Sequence, residues 1–173
     1  PAELREGKDE LKKSIPKLVG YNDIKGDLQV HTKWSDGNNT VLEMAKEAKR
    51  LKYKYIGITD HSKARAIAGG LKEKDVLKQI KEIKKVKVPG IRILKGIEVD
   101  ILASGDLDYK DNILKKLDFV VGAVHSGFSK DCTNRIVNAL ENKYVDIIAH
   151  PTGRLINQRE GYKVNLNEVF KVA

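Results

Sequence analysis

Five apolar runs in this chain each lead into a histidine or a glutamate, and this register constrains the fold more than any other feature. The chain has 173 residues and four histidines, and all four follow such runs, whereas chance would also place histidines on helices and surfaces. The five run-ending residues are His31, His61, Glu98, His125 and His150. Because the carboxyl ends of parallel strands meet at one edge, we expect these side chains to converge there.

The apolar runs are typical of buried strands, and helical segments alternate with them. The predicted strands cover residues 27–32, 55–60, 91–100, 119–126 and 145–152. Thr40 is the predicted N-cap of a helix over residues 41–53, with Glu43 in its first turn. Further helices are predicted over residues 72–87 and 129–142, with a short one within 101–117 and a last one that Asn165 caps.

This alternation predicts an α/β fold in which helices cover a parallel sheet. The run-ending residues are 25 to 37 residues apart, which is the length of one strand–helix unit. A ring of strands gives every strand equal access to a central site, so we favour a barrel over an open doubly wound sheet. Five strands, however, are too few to close the usual parallel barrel.

Composition narrows the class of protein and of partner. Hydrophobic residues make up 40% and charged residues 33%, which is typical of a folded, soluble domain with a real core. The net charge of +9 favours a polyanionic partner such as nucleic acid, or else marks the lysine-rich surface of a heat-adapted protein. A lone cysteine, Cys132, excludes an internal disulfide and predicts a reducing, cytoplasmic location. No run is long enough to span a membrane, and a first residue other than Met suggests an excised segment or a processed product.

Converging imidazole and carboxylate groups suit Zn, Mn or Fe, a bridging Glu98 can hold two ions, and such a site can hydrolyse an ester. One histidine at a strand end is ordinarily structural, but five strand ends in register favour a metal site. Asp36, within the letters SDG, is either a ligand or a turn residue. We expect Asp60 to point away from the neighbouring His61. Asp100, two residues after Glu98, either shares the face of Glu98 or begins the loop, and we favour the loop.

Three arginines occupy the loops that follow these strand ends. Arg65 follows His61, and Arg154 and Arg159 follow His150. We predict that they bind substrate phosphate by bidentate contacts; the alternative is that they are ordinary solvated arginines. Trp34, in the first such loop, either stacks on a base or packs against the neighbouring helix.

The segments DLQVHTKWSDG, TDHS, GIEVD, VHS and AHPTGR, in this order and spacing, resemble the polymerase-and-histidinol-phosphatase (PHP) domain. The resemblance covers residues 21–170. The segments PAELREGKDE, ARAIAGGL and GRLINQREGY are most similar to the C-terminal PHP domain of bacterial and archaeal family-X DNA polymerases. Residues 1–20 would then be a lead-in from a preceding polymerase domain, and 21–173 the PHP phosphoesterase domain.

The resemblance implies a distorted seven-stranded (β/α) barrel with two to three divalent ions, Mn, Zn, Fe or Mg, at the carboxyl edge of its strands. By motif, the ligand sets for the separate ions would be His31 with Glu98; Glu98 with His125 and His150; and Asp36 with His61. Glu98, His125 and His150 form the most complete set and are the predicted catalytic residues. A metal-bound hydroxide would attack phosphorus, hydrolysing DNA phosphodiester or 3′-phosphate bonds in 3′–5′ exonuclease-like proofreading or repair.

Two features depart from the family pattern. Gln29 stands where the first motif usually has a histidine, and it is either a weak ligand or a hydrogen-bonding partner. The chain ends 23 residues after His150, without the family's last Asp-x-His motif. We therefore expect a barrel truncated at its C-terminal end, and one alternative is that this segment by itself is inactive. Two rival hypotheses remain: a small-molecule phosphatase of the histidinol-phosphate type, and a non-catalytic module that positions the polymerase.

Overall fold

A computed structural model describes residues 18–173, in which six short strands alternate with helices. The strands are β1 (Gly26–Val30), β2 (Tyr55–Ile58), β3 (Arg92–Lys95), β4 (Glu98–Asp100), β5 (Val121–Ala123) and β6 (Ile147–Ile148). The α-helices are α1 (Val41–Arg50), α2 (Glu73–Lys85), α3 (Asp111–Leu114), α4 (Thr133–Leu140) and α5 (Leu166–Val172), and 3-10 turns cover Tyr21–Asp23 and Ala66–Ala68. The predicted lead-in over residues 1–20 lies outside the described residues except for its last three positions.

The strands form a parallel arrangement in which neighbours along the chain are also neighbours in space. β1, β2 and β3 pair in that order, and so do β4, β5 and β6. All four strand pairings within residues 18–173 are parallel. The prediction of an α/β fold with a parallel sheet is therefore confirmed.

β3 and β4 are two parts of one predicted strand, interrupted near Gly96. Before the break, Ile58 of β2 pairs with Lys95. After it, His61 pairs with Glu98 in a parallel bridge, so the register between the two strands is the same on both sides of the break. Across the break, the Gly96 amide donates to the carbonyl oxygen of Ile58 at 2.9 Å. The two three-stranded sheets are thus joined along β2 and its continuation.

The interruption lies where the ring of Phe119 packs against the strands. A Cβ atom at Gly96 would lie 2.6 Å from that ring, and one at Gly57 of β2 would lie 2.4 Å from it. Because carbon atoms do not approach so closely without displacement, both positions require glycine for the ring to occupy this place.

The predicted N-cap of α1 is confirmed. The Glu43 amide donates to Thr40 Oγ1 at 3.3 Å, and the Thr40 amide donates to Glu43 Oε2 at 2.7 Å, a reciprocal capping box. The helix ends at Arg50, earlier than predicted, and Lys52 then adopts a left-handed conformation with φ of 62°. Asn165 caps α5 as expected.

Three clusters of buried apolar side chains hold the helices against the strands. The first packs α1 on β1 and β2, with Val41 and Ile58 fully buried. The second packs α2 and α3 around Val99 of β4, and the third packs α4 and α5 around Ile101 and Ile136. Each fully buried side chain of this size stabilises the fold by about 1.5–3 kcal/mol. Across residues 18–173, no helix has both the length and the apolar character needed to cross a bilayer.

The arrangement is open between its first and last strands. Within residues 18–173, β1 and β6 each pair with a single strand. Leu28 of β1 and Ile147 of β6 line a common cavity of about 310 Å³. The seven-stranded barrel that the resemblance implies is therefore not confirmed in the described residues, where six short strand segments leave β1 and β6 unpaired on one side.

Candidate metal centre

The carboxyl ends of the strands bring the five run-ending side chains into one cluster. His31 directly follows β1, Glu98 begins β4, and the other three histidines come shortly after β2, β5 and β6. The imidazole rings form a row whose successive centroids are 4.4, 5.1 and 5.2 Å apart, in the order His31, His61, His125 and His150. The convergence expected from the strand-end register is present.

Glu98 lies at the middle of this row and is 2% exposed. Its Oε2 atom lies 3.4 Å from His31 Nε2 and 3.0 Å from His61 Nδ1. Its Oε1 atom lies 3.5 Å from His125 Nε2 and 3.2 Å from His150 Nε2. Burial alone raises the pKa of Glu98, but the adjacent imidazoles of His125, His150 and His61 outweigh burial and hold that pKa well below its usual range. The carboxylate is therefore ionised, with each oxygen shared by two imidazoles.

Asp36 completes one end of the cluster. Its Oδ1 lies 3.1 Å from His31 Nδ1, and its Oδ2 lies 3.5 Å from His61 Nε2. Burial opposes ionisation of Asp36, yet the charges of the two histidines lower its pKa overall. Asp36 lies in a turn that places its carboxylate in the cluster, so the two sequence interpretations, ligand and turn residue, are compatible with each other.

The donor set fits divalent cations. Two groups, His31–Asp36–His61 and His61–Glu98–His125, each offer ligand atoms that lie within 4.8 Å of one another. His61 Nδ1 is buried and forms no aligned hydrogen bond with the described residues, although Glu98 Oε2 is 3.0 Å away. A cation bound to both atoms would satisfy them. Mixed imidazole and carboxylate donors suit Zn, Mn or Fe.

Asp100 lies beside His125, as Glu98 does, which agrees with the less favoured of its two sequence interpretations. It is the last residue of β4, so the prediction that it begins the loop is wrong. Its Oδ1 is hydrogen-bonded to His125 Nδ1. Burial lowers the pKa of His125, but the hydrogen bonds with Asp100 and Glu98 prevail and raise that pKa to about 9. Such a carboxylate fixes the tautomer and orientation of a ligating imidazole. The two-residue spacing from Glu98, which places both side chains on one face of a strand, was the available signal.

Two further predicted positions lie beside the centre. Gln29 Nε2 is 3.4 Å from His31 Nε2, so it borders the cluster as expected of either a weak ligand or a hydrogen-bonding partner. Asp60 does point away from His61. It is fully buried, and it accepts hydrogen bonds from Thr32, Ser35 and Gln79.

The three predicted phosphate-binding arginines surround one cavity of about 300 Å³. Arg65, Arg154 and Arg159 line it together with His125 and His150, which also belong to the metal centre. Within residues 18–173, none of the three has a carboxylate oxygen within 4.0 Å. The cavity therefore places uncompensated positive charge directly beside the candidate ligands.

Arg159 is held more firmly than a solvated arginine would be. Its Nε and Nη2 donate to the carbonyl oxygen of Gly153 at 3.2 and 2.7 Å. Its guanidinium carbon lies 4.1 Å from the centre of the Phe128 ring, which in turn stacks on Tyr162. This leaves Arg65 and Arg154 with the freer guanidinium groups.

Trp34 and Cys132, two residues for which the sequence left a functional role open, have surroundings that favour a structural role. Trp34 Nε1 donates to Glu82 Oε2 of α2 at 2.9 Å, and its ring packs against the core, in agreement with the packing alternative. Cys132 is 1% exposed, and burial raises the pKa of its thiol, which argues against a role as nucleophile.

Comparison with known proteins agrees with this geometry. A family model described as the PHP domain matches residues 27–157. The chain is 41% identical over 180 aligned residues to the DNA polymerase/3′-5′ exonuclease PolX of Bacillus subtilis (strain 168), covering 100% of this chain and 32% of that protein. It is 35% identical over 142 residues to a probable phosphatase of Thermoanaerobacter sp. (strain X514), covering 78% of this chain and 54% of the phosphatase.

A probable phosphatase of Acetivibrio thermocellus is 40% identical over 119 residues, covering 65% of this chain and 48% of that protein. The chain thus spans about a third of the polymerase and about half of the phosphatases. The matched region begins in β1 and includes all six residues of the candidate metal centre. The chain belongs to the PHP domain family.

Proposed function

We propose that this chain is a metal-dependent phosphoesterase module that hydrolyses phosphodiester or 3′-phosphate bonds of DNA. The observation that carries the proposal is the position of Glu98, whose two oxygens each lie within 3.5 Å of two imidazole nitrogens. Imidazoles and a carboxylate gathered in this way are donors that suit Zn, Mn or Fe, and Glu98 would be shared by the cations at the two ends of the cluster.

The residues divide into two ends around Glu98. His31, Asp36 and His61 would hold a cation at one end, and His125 with His150 would hold another at the other end. Divalent cations in this place supply Lewis acidity, which makes attack of water on phosphorus easier at neutral pH. Asp100 keeps His125 Nε2 directed toward Glu98 by accepting a hydrogen bond from Nδ1.

The arginine-lined cavity supplies the binding of substrate. Arg65 and Arg154 would neutralise phosphate oxygens by charge and by paired hydrogen bonds. Arg159, held by Gly153 and stacked on Phe128, would give the loop after His150 a fixed shape. A phosphate bound by these arginines would lie next to His125 and His150, where the ester has to be for hydrolysis.

DNA is the substrate we favour, and a small phosphate ester is the second candidate. The net charge of +9 suits a polyanion. The relative named as a polymerase and exonuclease also shares more identity, 41%, than the first probable phosphatase, at 35%. The relatives named as probable phosphatases support the second candidate, a phosphatase of the histidinol-phosphate kind.

Hydrolysis with Mn²⁺ distinguishes these candidates. We expect the chain to release nucleotides or phosphate from a 3′-labelled single strand or gapped duplex with Mn²⁺ present, and the Glu98→Gln variant to lose this activity. Faster release of phosphate from histidinol phosphate than from DNA would favour the second candidate. Metal binding without hydrolysis of either substrate would instead indicate a non-catalytic module, or a segment that needs further chain to act.

We also propose that the open parallel arrangement is part of a seven-stranded barrel that follows a polymerase domain in a longer protein. The unpaired edges of β1 and β6 and the cavity between them support this view. A version extended at its C-terminus by two strand–helix units, taken from one of the probable phosphatases, should protect the edge amides of β1 and β6 from hydrogen exchange. Unchanged exchange at both edges would contradict the barrel.

A further inference from the structure

Asp60, just after β2, is a buried carboxylate that no metal-ligand group includes. Its side chain is 0% exposed. Burial of a carboxylate is unfavourable unless a cation or several hydrogen bonds replace its hydration. In the described part of the chain, no lysine or arginine nitrogen lies within 4.0 Å of its oxygens. Hydrogen bonds must therefore compensate for its burial.

Five hydrogen bonds end on this carboxylate. Oδ1 accepts from the Thr32 amide at 2.7 Å, the Ser35 amide at 3.1 Å and Ser35 Oγ at 2.6 Å. Oδ2 accepts from Thr32 Oγ1 at 2.7 Å and from Gln79 Nε2 of α2 at 2.5 Å. Four of the five donors thus belong to the turn that follows β1, and one belongs to a helix.

That turn connects two side chains of the candidate metal centre. His31 stands at its beginning, next to β1, and Asp36 stands at its end. Asp36 is 46% exposed and lies outside every strand and helix of residues 18–173. Its carboxylate nevertheless lies within 3.5 Å of nitrogens of both His31 and His61. The position of Asp36 therefore depends on what fixes the turn.

We propose that Asp60 is a positioning residue for the end of the metal centre formed by His31, Asp36 and His61, and that it acts by fastening the turn. The proposal rests on the proposed metal dependence. Through its own neighbour His61, Asp60 also joins the turn to β2, so one buried carboxylate sets the relative positions of all three ligands. The other end, with His125 and His150, forms no hydrogen bond or ion pair with this turn in the described residues.

Titration of the whole chain with Mn²⁺ by calorimetry tests this assignment. The turn-end step is the Mn²⁺-binding step that disappears in Asp36→Ala, and it belongs to His31, Asp36 and His61. The step that disappears in His125→Ala belongs to the other end, with His125 and His150. We expect Asp60→Ala and Ser35→Ala to weaken the turn-end step by about 10- to 100-fold, as loss of a residue that orients a ligand commonly does. The step that His125→Ala removes should stay unchanged.

Gln79→Met is the matched control, because it removes a hydrogen bond of the same carboxylate without touching the turn. It should lower the unfolding temperature but leave both Mn²⁺ steps in place. Asp60→Asn keeps the shape and one acceptor oxygen, which can still receive the bonds from Thr32 and Ser35 that end on Oδ1, so it should restore part of the turn-end affinity lost in Asp60→Ala. Ser35→Ala keeps the test valid even where Asp60→Ala fails to fold, because Ser35 is only partly buried. Since Ser35 Oγ also lies 3.3 Å from Asp36 Oδ1, Thr32→Val, which removes a hydrogen bond to Asp60 and none to Asp36, should weaken the same step.

Three results would overturn the inference. They are an unchanged turn-end step in Ser35→Ala, equal weakening of both steps, or equal weakening by Gln79→Met. Failure of the unmodified chain to bind Mn²⁺ would be a different result, because it would refute the proposed function itself and this inference with it.

Discussion

At the scale of single residues, Glu98 determines whether the centre can hold cations. Its two oxygens lie between two pairs of imidazoles, and the carboxylate is almost fully buried. A neutral amide at this place would keep the shape but would lose both the charge and the symmetric pair of acceptor oxygens.

We predict that Glu98→Gln lowers the affinity for Mn²⁺ by more than about 100-fold, because loss of a group that only supports a ligand already costs 10–100-fold. Calorimetric titration measures the change. Glu141→Gln, on an exposed position, is the control and should bind as the unmodified chain does. Equal affinity of Glu98→Gln and the control would mean that the histidine cluster is structural.

Asp100→Asn tests the support of His125. We expect a loss of about 10- to 100-fold in Mn²⁺ affinity, because the amide no longer holds His125 Nδ1 by a charged hydrogen bond. Asp106→Asn, an exposed change on the loop after β4, should have no effect. A similar affinity for the two variants would show that Asp100 has no part in the centre.

The sequence predicts that the four histidines and Glu98 converge, because the register of strand ends is a property of local pattern. It leaves Asp36 open, since the position of a turn carboxylate depends on contacts such as those with Asp60, far away in the chain. It favours the loop for Asp100, because the spacing from Glu98 does not show that this carboxylate meets His125, 25 residues further along the chain. Residues that support ligands are set by packing between strands, which periodicity does not report.

At the scale of elements, the strands are placed by the fit between Phe119 and two glycines. Gly57 of β2 and Gly96 next to β3 leave room for this ring. The sequence predicts these strands but not the break, because the break follows from a contact with a residue more than 20 positions further along the chain. The predicted helices form close to their expected positions, since caps such as Thr40 are local signals.

We predict that Gly57→Ala destabilises the fold by about 1–3 kcal/mol, the usual cost of overpacking a core. The new Cβ atom would lie 2.4 Å from the Phe119 ring. Combination with Phe119→Leu should recover part of the loss, and urea unfolding of the two single variants and the double variant measures the coupling. Additive losses would show that the ring does not limit this position.

At the scale of the whole molecule, three buried apolar clusters pack the helices on the strands and so fix the strand ends that carry the candidate ligands. The arrangement stays open between β1 and β6. The sequence predicts the parallel fold, but closure of a barrel depends on the number of strands and their stagger, which no local pattern contains. The positive charge of the chain and its three cavity arginines point to an anionic substrate.

Bound cations should stabilise the whole molecule, because their ligands come from almost every strand. With Mn²⁺ at 100 times its dissociation constant, we expect the free energy of unfolding to rise by about 2.7 kcal/mol per independent site. Denaturant unfolding with Mn²⁺ and with a chelator measures the difference, and Glu98→Gln should show little of it. An equal rise in Glu98→Gln would place the bound ions elsewhere on the surface.

Anomalous diffraction from crystals of this chain grown with Mn²⁺ would test the central claim most directly. We predict at least two anomalous peaks at the strand ends, one on each side of Glu98 and each within about 2.5 Å of a carboxylate oxygen. A map with no peak among these histidines, although Mn²⁺ is abundant in the crystal, would contradict the metal centre and with it the proposed phosphoesterase.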